Sequence, residues 1–568
     1  MTWGLENLWK DGMESPYAVR HGRKPVNDFG RPLEKDKSLK ETVDFYCPNY
    51  FERAFPCLFP FGLGGIEADR PDEISFGEHV KWALRYHDRR FRKHETFPFV
   101  AFGIQQRHEA LRSARIQMKR KNFEADANLL STITPAKLEQ ARIEEEKKLP
   151  ISDPAVRLLR KDVHATGGRV MGSDQSRYQL RSQMWSTCIY ISPPSLWITI
   201  NPCDLHDPIV QIFVGEKIDM DKLSAFVGPD KDKRAKNIAD DPYAAAKFFH
   251  FLIKTVLETL FGIEVTPYQI HSGKGIYGHV AAYFGAVESQ GRGSLHLHLI
   301  VWLKNTPTAD EILELLKGEE FRERVKTFIR ANVRACAEGL ETDEAVKNMP
   351  NEADIAYSRP PHPDSEDYEN QIKLYEVRLA HAKQVHTCEL RRCIVYNSKG
   401  QPKCKRRAPF EYAEEEYIDE AGNWAPKRLY PYLNNWNPAT LIHCRCNNDV
   451  KIISNGRETC NIGEYIFSYT GKKQGKNHNV SVLMAKGYAF HGQRRETTDS
   501  LRDEQRLLIF RLVHTINREQ ELAAPMVMSY LMGWGDIYRS HHYTAIFWSS
   551  FTGAILREFP DLSPTKKQ

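Results

Sequence analysis

The sequence contains no apolar run long enough to span a membrane, and its first residues contain no hydrophobic segment of the kind that a signal peptide needs. Because 41% of its 568 residues are hydrophobic and 27% are charged, it has the composition of a globular protein. These absences argue against a secreted or membrane protein, so we expect a soluble intracellular chain with no membrane partner. A chain of this length exceeds one hydrophobic core, and about two to four domains are expected.

The sequence also has little excess of one charge. Its 80 Lys and Arg residues against 74 Asp and Glu residues leave a net charge of +6, which by itself indicates no particular partner. Local clusters are more informative: near the N-terminus three cations recur at helical spacing on one face, Arg112, Arg115 and Lys119. A solvated helix face and a phosphate-binding stripe both account for this spacing.

A disulfide framework is not expected, because no secretory signal precedes the 11 cysteines. Their distribution is uneven, and six fall in one short region: Cys388, Cys393, Cys404, Cys444, Cys446 and Cys460. Such clustering indicates metal binding.

The first group in this region consists of one histidine and three cysteines: His386, Cys388, Cys393 and Cys404. Its spacing differs from the paired C-x₂-C finger, so a structural Zn²⁺ site and reduced, partly buried cysteines are both open interpretations. A second group, His443, Cys444 and Cys446, could contribute ligands. The neighbouring run Lys405, Arg406 and Arg407 suits contact with a DNA backbone.

Strand patterns dominate the middle of the chain. The stretch 195–202, "SLWITINP", is rich in β-branched and aromatic residues, and a helix is expected over 241–261. Two strands, 278–290 and 294–303, flank a glycine-rich connection of hairpin length, 291–294. Elsewhere, 309–339 and most of 498–551 are predicted helical. The charged stretch 134–159 is predicted to be exposed, and the acidic, proline-containing stretch 341–370 to be a linker or an exposed insertion.

The hairpin carries the strongest chemical signal, His296 and His298. In a strand both histidines project to one face and the intervening leucines to the other. Glu288 and Gln290 share a face on the preceding strand, so the hairpin can bring the two polar pairs together as an open, three-ligand metal site. The alternative is that both histidines lie on a solvated strand face, which is the commoner outcome for an isolated His-x-His.

A second signal lies in "GEYIFSYTGKK", where Tyr465, Tyr469 and Lys472 fall on one face of a helix. A phenol can attack phosphorus when a metal polarises the phosphate and a cation stabilises the developing charge. The alternative is an aromatic stripe in a core.

Taken together, these motifs resemble the Rep endonuclease region of Helitron transposons, in its fungal form. "YFGAVESQGRGSLHLHLIVWL" is similar to the HUH motif, "SLWITINPCDLHDPIV" to the first Rep motif, and "NNDVKIISN…EYIFSYTGK" to the two-tyrosine motif. "FPCLFPFGLGG" near the N-terminus and "REQELAAPMVMSYLMGWGDIYRSHHYTAIFW" near the C-terminus are also similar. The resemblance spans roughly residues 50 to 550.

The resemblance implies an activity and roles for individual residues. His296 and His298 would bind Mg²⁺ or Mn²⁺, with Glu288 preferred to Gln290 as the third ligand. Tyr465 and Tyr469 would be paired nucleophiles, and Lys472 matches the lysine that follows them. The resemblance implies nicking and rejoining of single-stranded DNA at transposon ends through a 5′-phosphotyrosine link. DNA contacts are assigned to Arg292, Lys405, Arg406 and Arg407.

Two features depart from the family pattern. Ser468 stands where many relatives have Lys, and no G-x-x-x-x-G-K-[ST] motif of the usual helicase is present. We therefore expect no ATP-driven unwinding by this polypeptide, and either a separate helicase or a truncated relic.

The expected fold is α+β, with a central antiparallel sheet of the HUH (Rep) endonuclease type and helical flanking regions. Six segments are expected: an N-terminal helical or irregular region (1–175), the first part of the endonuclease core (176–310), a helical segment with an acidic insertion (311–385), a Cys/His-rich segment (386–446), the tyrosine helix of the core (447–480) and a C-terminal helical region (481–568). A nuclear location is expected, with another intracellular location as the alternative. Two other classes stay open: a catalytically inactive DNA-binding relic and an unrelated metal-dependent hydrolase.

Overall fold

The computed structural model describes residues 50–66, 71–72, 74–118, 123–223, 227–266, 269–291, 293–352, 354–390, 393–397, 399–454, 479–493, 500–546 and 548–562. The α-helices of this part of the chain are α1 (Tyr50–Ala54), α2 (Phe76–Leu84), α3 (Arg90–Lys93), α4 (Phe97–Met118), α5 (Phe123–Leu130), α6 (Pro135–Glu146), α7 (Pro154–Gly167), α8 (Asp174–Tyr190), α9 (Pro208–Val214), α10 (Lys231–Asp240), α11 (Pro242–Thr255), α12 (Ala309–Leu315), α13 (Glu319–Asn332), α14 (Asp343–Asn348), α15 (Tyr368–Gln384), α16 (Pro438–Cys444), α17 (Val480–Gln493), α18 (Leu501–Arg518), α19 (Ala524–Leu531) and α20 (Trp548–Glu558). None of them is long and apolar enough to cross a membrane.

The strands are β1 (Leu196–Asn201), β2 (Ile263–Val265), β3 (Ile270–Ser272), β4 (Lys274–Gly275), β5 (Gly278–Ser289), β6 (Leu295–Leu303), β7 (Ile394–Tyr396), β8 (Pro402–Cys404), β9 (Tyr417–Ile418), β10 (Trp424–Ala425), β11 (Asn447–Ile452) and β12 (Ile537–Arg539). The main sheet has the order β11-β1-β6-β5-β12, with β4 also paired to β5, and its pairings are antiparallel. The expectation of an α+β fold around an antiparallel sheet is confirmed, and the strands "LWITIN" and "LHLHLIVWL" lie side by side within it.

One face of the sheet builds the largest core. Alternate residues of β6, Leu297, Leu299 and Val301, are fully buried there, as the period-2 pattern predicts. Helix α11 packs against this face through residues such as Phe249. Its start is well defined, because the buried Asp241 side chain accepts a hydrogen bond from the Ala244 N–H at 3.1 Å and proline occupies the first turn.

The opposite face carries a smaller apolar cluster and the histidines. Ile300 and Trp302 continue the row begun by His296 and His298, and helix α8 covers them through Leu180 and Met184. This face is therefore apolar at one end of β6 and polar at the other.

A second core joins helices from the two ends of the described chain. Helices α5, α6 and α7 contribute buried residues such as Phe123, Leu138 and Leu159, and these pack with Leu508 and Leu512 of α18. The expectation that 134–159 is exposed is therefore wrong for apolar side chains such as Leu138 and Leu159, although Leu149 is exposed. The N-terminal and C-terminal helical segments, separate in the sequence, share this core.

The stretch 341–370 is not a plain linker. It includes α14, and residues such as Val346, Ile355 and Tyr357 are buried. Tyr357 lies under the Arg234 guanidinium at 4.5 Å, while Val346 and Ile355 join a third core with Leu379 and Trp436. The linker prediction failed because these apolar residues follow neither a helical nor a strand spacing and are buried by segments distant in the chain.

Candidate active site

The turn between β5 and β6 sets the geometry of the candidate site. The Gln290 N–H donates to the Ser294 carbonyl at 2.8 Å, and Gly293 takes the left-handed φ of +84° that the tight turn requires. With this turn, Glu288 lies directly opposite His296 in the antiparallel register. Arg292, predicted to contact DNA, lies outside the described residues.

The two histidines and the glutamate form a compact cluster. His296 Nε2 and His298 Nε2 are 3.0 Å apart, and Glu288 Oε2 lies 3.7 and 3.9 Å from them respectively. Both histidine residues are only 7% exposed. The interpretation of His296 and His298 as polar residues on a solvated face is therefore wrong, since they are buried beside a carboxylate.

Burial keeps both imidazoles neutral at ordinary pH. It lowers the pKa of His296 to about 4, against the opposite effect of a hydrogen bond with the Glu288 backbone, and the positive charges of Arg177 and Arg406 add to the lowering. Burial, His296 and Arg177 lower the pKa of His298 to about 3. A neutral imidazole is the form that binds a metal ion.

Thr199 of β1 orients the second histidine. It pairs directly with His298 in the sheet register, and its Oγ1 lies 3.1 Å from His298 Nδ1. This contact leaves Nε2 directed at His296 and Glu288. A hydrogen-bonded partner on the other ring nitrogen is typical of a metal-binding histidine.

A buried charge network supports β5 beside the cluster. Arg177 of α8, 1% exposed, donates to the Val287 carbonyl and pairs with Asp536 Oδ2 at 3.2 Å. Asp536 also accepts a hydrogen bond from the Tyr530 hydroxyl at 2.9 Å. These contacts hold the strand residue that precedes Glu288.

Gln290, the other predicted ligand, is engaged elsewhere. Its amide Nε2 donates to Asn201 Oδ1 at 2.8 Å, at the end of β1. Asn201 in turn donates to Asn447 Oδ1 at 2.7 Å, and Asn447 donates to the Lys383 carbonyl at 2.9 Å. Of the two residues considered for the third ligand, Glu288 is the one that the structure brings to the histidines.

The residues His386, Cys388, Cys393 and Cys404 also come together. Their ligand atoms all lie within 4.8 Å of one another, with His386 Nε2 3.3 Å from Cys404 Sγ and 3.4 Å from Cys388 Sγ. The β7–β8 hairpin holds Cys393 and Cys404, and the His386 N–H donates to the Tyr432 carbonyl at 2.8 Å. The unusual spacing in the sequence thus closes into one four-ligand cluster.

The sulfur atoms of this cluster differ in their surroundings. Burial and the neighbouring Cys404 and Cys393 sulfurs raise the pKa of Cys388 to about 11. For Cys404, burial raises the pKa, but the backbone N–H groups of Ala408 and Arg406 and the hydrogen bonds with Cys388 and Cys393 together outweigh it, so the net shift is downward. Backbone N–H groups directed at a sulfur stabilise its thiolate, the form that binds metal.

The other predicted residues fall into three groups. Lys405, Arg406 and Arg407 are exposed beside the His/Cys cluster. Cys444 and Cys446 are buried in the main core, and His443 is exposed. Among the described residues none of the three joins the cluster, so their suggested contribution is wrong. The predicted catalytic residues Tyr465, Tyr469 and Lys472 lie outside the described residues.

Four residues around the site were not predicted from the sequence: Thr199, Asn201, Arg177 and Asn447. Their roles depend on strand register and on contacts between distant segments. A weak signal existed for two of them: Thr199 and Asn201 alternate with the buried isoleucines of β1 and so face the same side as Trp197.

Residues 79–301 match the family model described as the Helitron helicase-like domain at N-terminus. This match supports a Helitron-related protein. It includes Glu288, His296 and His298 and suggests a transposon-associated function, compatible with an enzymatic role. A comparison with curated proteins gives no match.

Proposed function

We propose that this Helitron-related chain is a divalent-metal-dependent endonuclease and strand transferase that acts on single-stranded DNA at transposon ends. The observation that carries the proposal is the buried Glu288–His296–His298 cluster on two paired strands of the sheet. The proposal includes an HUH-type arrangement of that sheet and a nuclear site of action.

The donor set fits a divalent ion. Two neutral imidazoles and one carboxylate converge from adjacent strands, leaving coordination positions for phosphate and water. When bound, Mg²⁺ or Mn²⁺ would polarise a phosphate oxygen as a Lewis acid. Thr199 holds the His298 ring in place, and the Arg177–Asp536 pair holds the strand that carries Glu288.

The nucleophile comes from the sequence motif. The hydroxyl of Tyr465 or Tyr469 attacks phosphorus, a tyrosine O–P bond forms, and the bond from phosphorus to the 3′ oxygen breaks. The phenol proton is transferred, overall, to the released 3′ oxygen. Because the phosphodiester energy is kept in the 5′-phosphotyrosine, attack by a 3′-hydroxyl rejoins strands without ATP.

The second tyrosine allows another cleavage while the first is still linked to DNA. Lys472 would stabilise the charge that develops on the phosphate. Arg292, Lys405, Arg406 and Arg407 would bind the DNA backbone.

The decisive experiment is formation of a covalent adduct. With Mn²⁺ and a labelled pool of random single-stranded oligonucleotides, the wild-type chain should shift the label on a denaturing gel. The double variant Tyr465→Phe/Tyr469→Phe should form no adduct, whereas Tyr396→Phe, at an exposed tyrosine of β7, should behave as wild type. An adduct that persists in the double variant would refute the proposal.

The same gel distinguishes the two alternatives. DNA retention without any adduct in the wild type would indicate an inactive binding protein. Cleavage that requires His296 and Glu288 but neither tyrosine would indicate an unrelated metal-dependent hydrolase.

We also propose structural Zn²⁺ at the second cluster, because three cysteines and one histidine at mutual zinc-ligand distances are the donor set that Zn²⁺ prefers. The purified chain should contain one Zn²⁺ per molecule by mass spectrometry of the native protein. Cys404→Ser should lose it, and Cys57→Ser, at an exposed cysteine, should keep it. Full zinc content in Cys404→Ser would contradict this assignment.

A further inference from the structure

The polar face of the main sheet continues past His298 onto β1 and β11. On both strands, half-buried residues alternate with buried ones, so the half-buried residues share this face. The antiparallel register sets them directly opposite one another in three rows: Trp197 with Lys451, Thr199 with Asp449, and Asn201 with Asn447. Residues placed in this way are the side-chain neighbours of a sheet.

The two outer rows are in side-chain contact. The Lys451 ammonium lies over the Trp197 ring at 5.3 Å. At the other end of the strands, Asn201 donates to Asn447 Oδ1 at 2.7 Å. Side chains that face each other on β1 and β11 therefore meet on both sides of the middle row.

The middle row leads from the histidine cluster to Asp449. In the register, Thr199 stands between His298 on one side and Asp449 on the other. Its hydroxyl oxygen lies 3.1 Å from His298 Nδ1. Directly opposite residues have Cβ atoms about 4.5–5.5 Å apart, so a change of side-chain torsion alone can bring the Thr199 hydroxyl and the Asp449 carboxyl into hydrogen-bond contact.

Asp449 supplies an unsatisfied acceptor in this row. Its Oδ1 is buried and has no hydrogen-bond partner among the described residues. A buried polar atom without a partner destabilises a fold, so such an atom calls for an explanation. Burial raises the pKa of Asp449, against the charges of Lys451 and Arg428. The carboxyl group keeps an accepting oxygen whether or not it is protonated.

The proton positions on His298 and Thr199 require such an acceptor. A His298 ring that binds a metal ion through Nε2 carries its proton on Nδ1 and donates it to Thr199 Oγ1. Because the Thr199 oxygen is then the acceptor, the hydrogen of its own hydroxyl group must be donated elsewhere. The unsatisfied Oδ1 of Asp449 lies directly across the sheet from it.

We propose that Asp449 is a positioning residue for the candidate metal site: its Oδ1 accepts a hydrogen bond from the Thr199 hydroxyl when a divalent ion binds, and Thr199 thereby holds His298 with Nε2 directed at the ion. The inference rests on the metal site of the proposed function and extends the support of that site to β11. Asp449 does not itself contact the ion.

The test is a double-mutant cycle on Mn²⁺ affinity, measured by electron paramagnetic resonance on the full-length chain without DNA. Asp449→Ala removes the acceptor and should weaken Mn²⁺ binding about threefold to tenfold, as expected for the loss of one hydrogen bond. In a Thr199→Val background the same change should have no further effect, because the hydroxyl through which it acts is absent. Asp232→Asn, at an exposed carboxyl of α10, should bind Mn²⁺ as the wild type does.

A second substitution, Asp449→Asn, separates a hydrogen bond from an effect of charge. Asparagine keeps the accepting oxygen and loses the charge, so this variant should bind Mn²⁺ more tightly than Asp449→Ala does. A direct attraction between the carboxylate and the ion would be lost equally in both variants, and its loss would also be seen in the Thr199→Val background. Thermal unfolding without metal checks the fold of each variant. If alanine unfolds the chain, Asp449→Leu, of similar size but without a polar atom, takes its place.

The outcomes keep this inference apart from the proposed nicking activity. If Asp449→Ala binds Mn²⁺ as tightly as the wild type, or weakens binding equally with and without the Thr199 hydroxyl, the role of Asp449 is wrong, whether or not the chain forms adducts. If the wild type forms no adduct but the two substitutions are coupled as described, the nicking activity is wrong and the role of Asp449 stands. A wild type that binds no Mn²⁺ would overturn the metal site and the role of Asp449 together.

Discussion

Replacing Thr199 by valine tests how the candidate metal site is built. Valine keeps the shape of threonine but removes the hydroxyl that lies 3.1 Å from His298 Nδ1. The expected result is a loss of orientation of the ring rather than a loss of fold, because the valine methyl group occupies the same space within β1.

The size of the expected loss of metal affinity follows from the position of the contact between Thr199 and His298. The hydroxyl makes a hydrogen bond with the buried ring of a proposed metal ligand, and losing such a partner costs about 10- to 100-fold in metal affinity, which is about 1.4–2.7 kcal/mol. The Nε2 atoms of the two histidines are 3.0 Å apart. A small rotation of one ring therefore moves its Nε2 away from the position where both atoms could bind one metal ion.

Titration of Mn²⁺ monitored by electron paramagnetic resonance measures this affinity directly. Thr199→Ser keeps the hydroxyl and should bind Mn²⁺ within a few-fold of the wild type. His298→Ala gives the Mn²⁺ affinity of a site that lacks the ring altogether. Thermal unfolding in the absence of metal checks that the valine variant is folded. Equal Mn²⁺ affinities of wild type, Thr199→Ser and Thr199→Val would refute the role given to Thr199.

Two further predictions concern the support of the sheet. Trp302→Ala should lower the free energy of unfolding, measured in urea, by about 3–5 kcal/mol, because Trp302 is fully buried and donates to the Ser192 carbonyl at 2.8 Å. The control Tyr190→Ala, at a residue 84% exposed, should have little effect. His250 is half-buried and hydrogen-bonded to Ser529 and Tyr538, and the burial of its ring lowers its pKa to about 3. Because the unfolded chain binds this proton near pH 6.5 and the folded chain does not, stability should fall as the pH drops below 6.5, by about 2 kcal/mol at pH 5 from this group. His250→Asn should lack this contribution when the pH dependence of urea unfolding is compared with that of wild type, and an unchanged dependence would show that His250 protonates readily in the folded state.

The local elements of the sheet were predictable from the sequence. The alternation in "LHLHLIVWL" placed both histidines on one face and the leucines in the core, and the glycine-rich connection predicted the hairpin that brings Glu288 opposite His296. These features depend on period and turn chemistry within a few residues, which are local properties of the chain.

The same local reasoning failed where burial depends on distant partners. The stretch 341–370 looked like a linker because its apolar residues show no period, yet Tyr357 is fully buried beneath Arg234. The charged helices α6 and α7 looked exposed because their partners, α17 and α18, lie more than 300 residues further along the chain. Long-range burial has no local sequence pattern that would reveal it.

The candidate ligands could be read from the sequence, as could the two strands that carry Glu288, His296 and His298 and the group of one histidine and three cysteines. The burial of the histidines could not, nor could the approach of Glu288 rather than Gln290 to them or the hydrogen bond from Gln290 to Asn201. The physical reason is that burial and hydrogen-bond partners arise from strand register and from the packing of segments far apart in the chain, where Thr199 meets His298 and Asn201 meets Asn447.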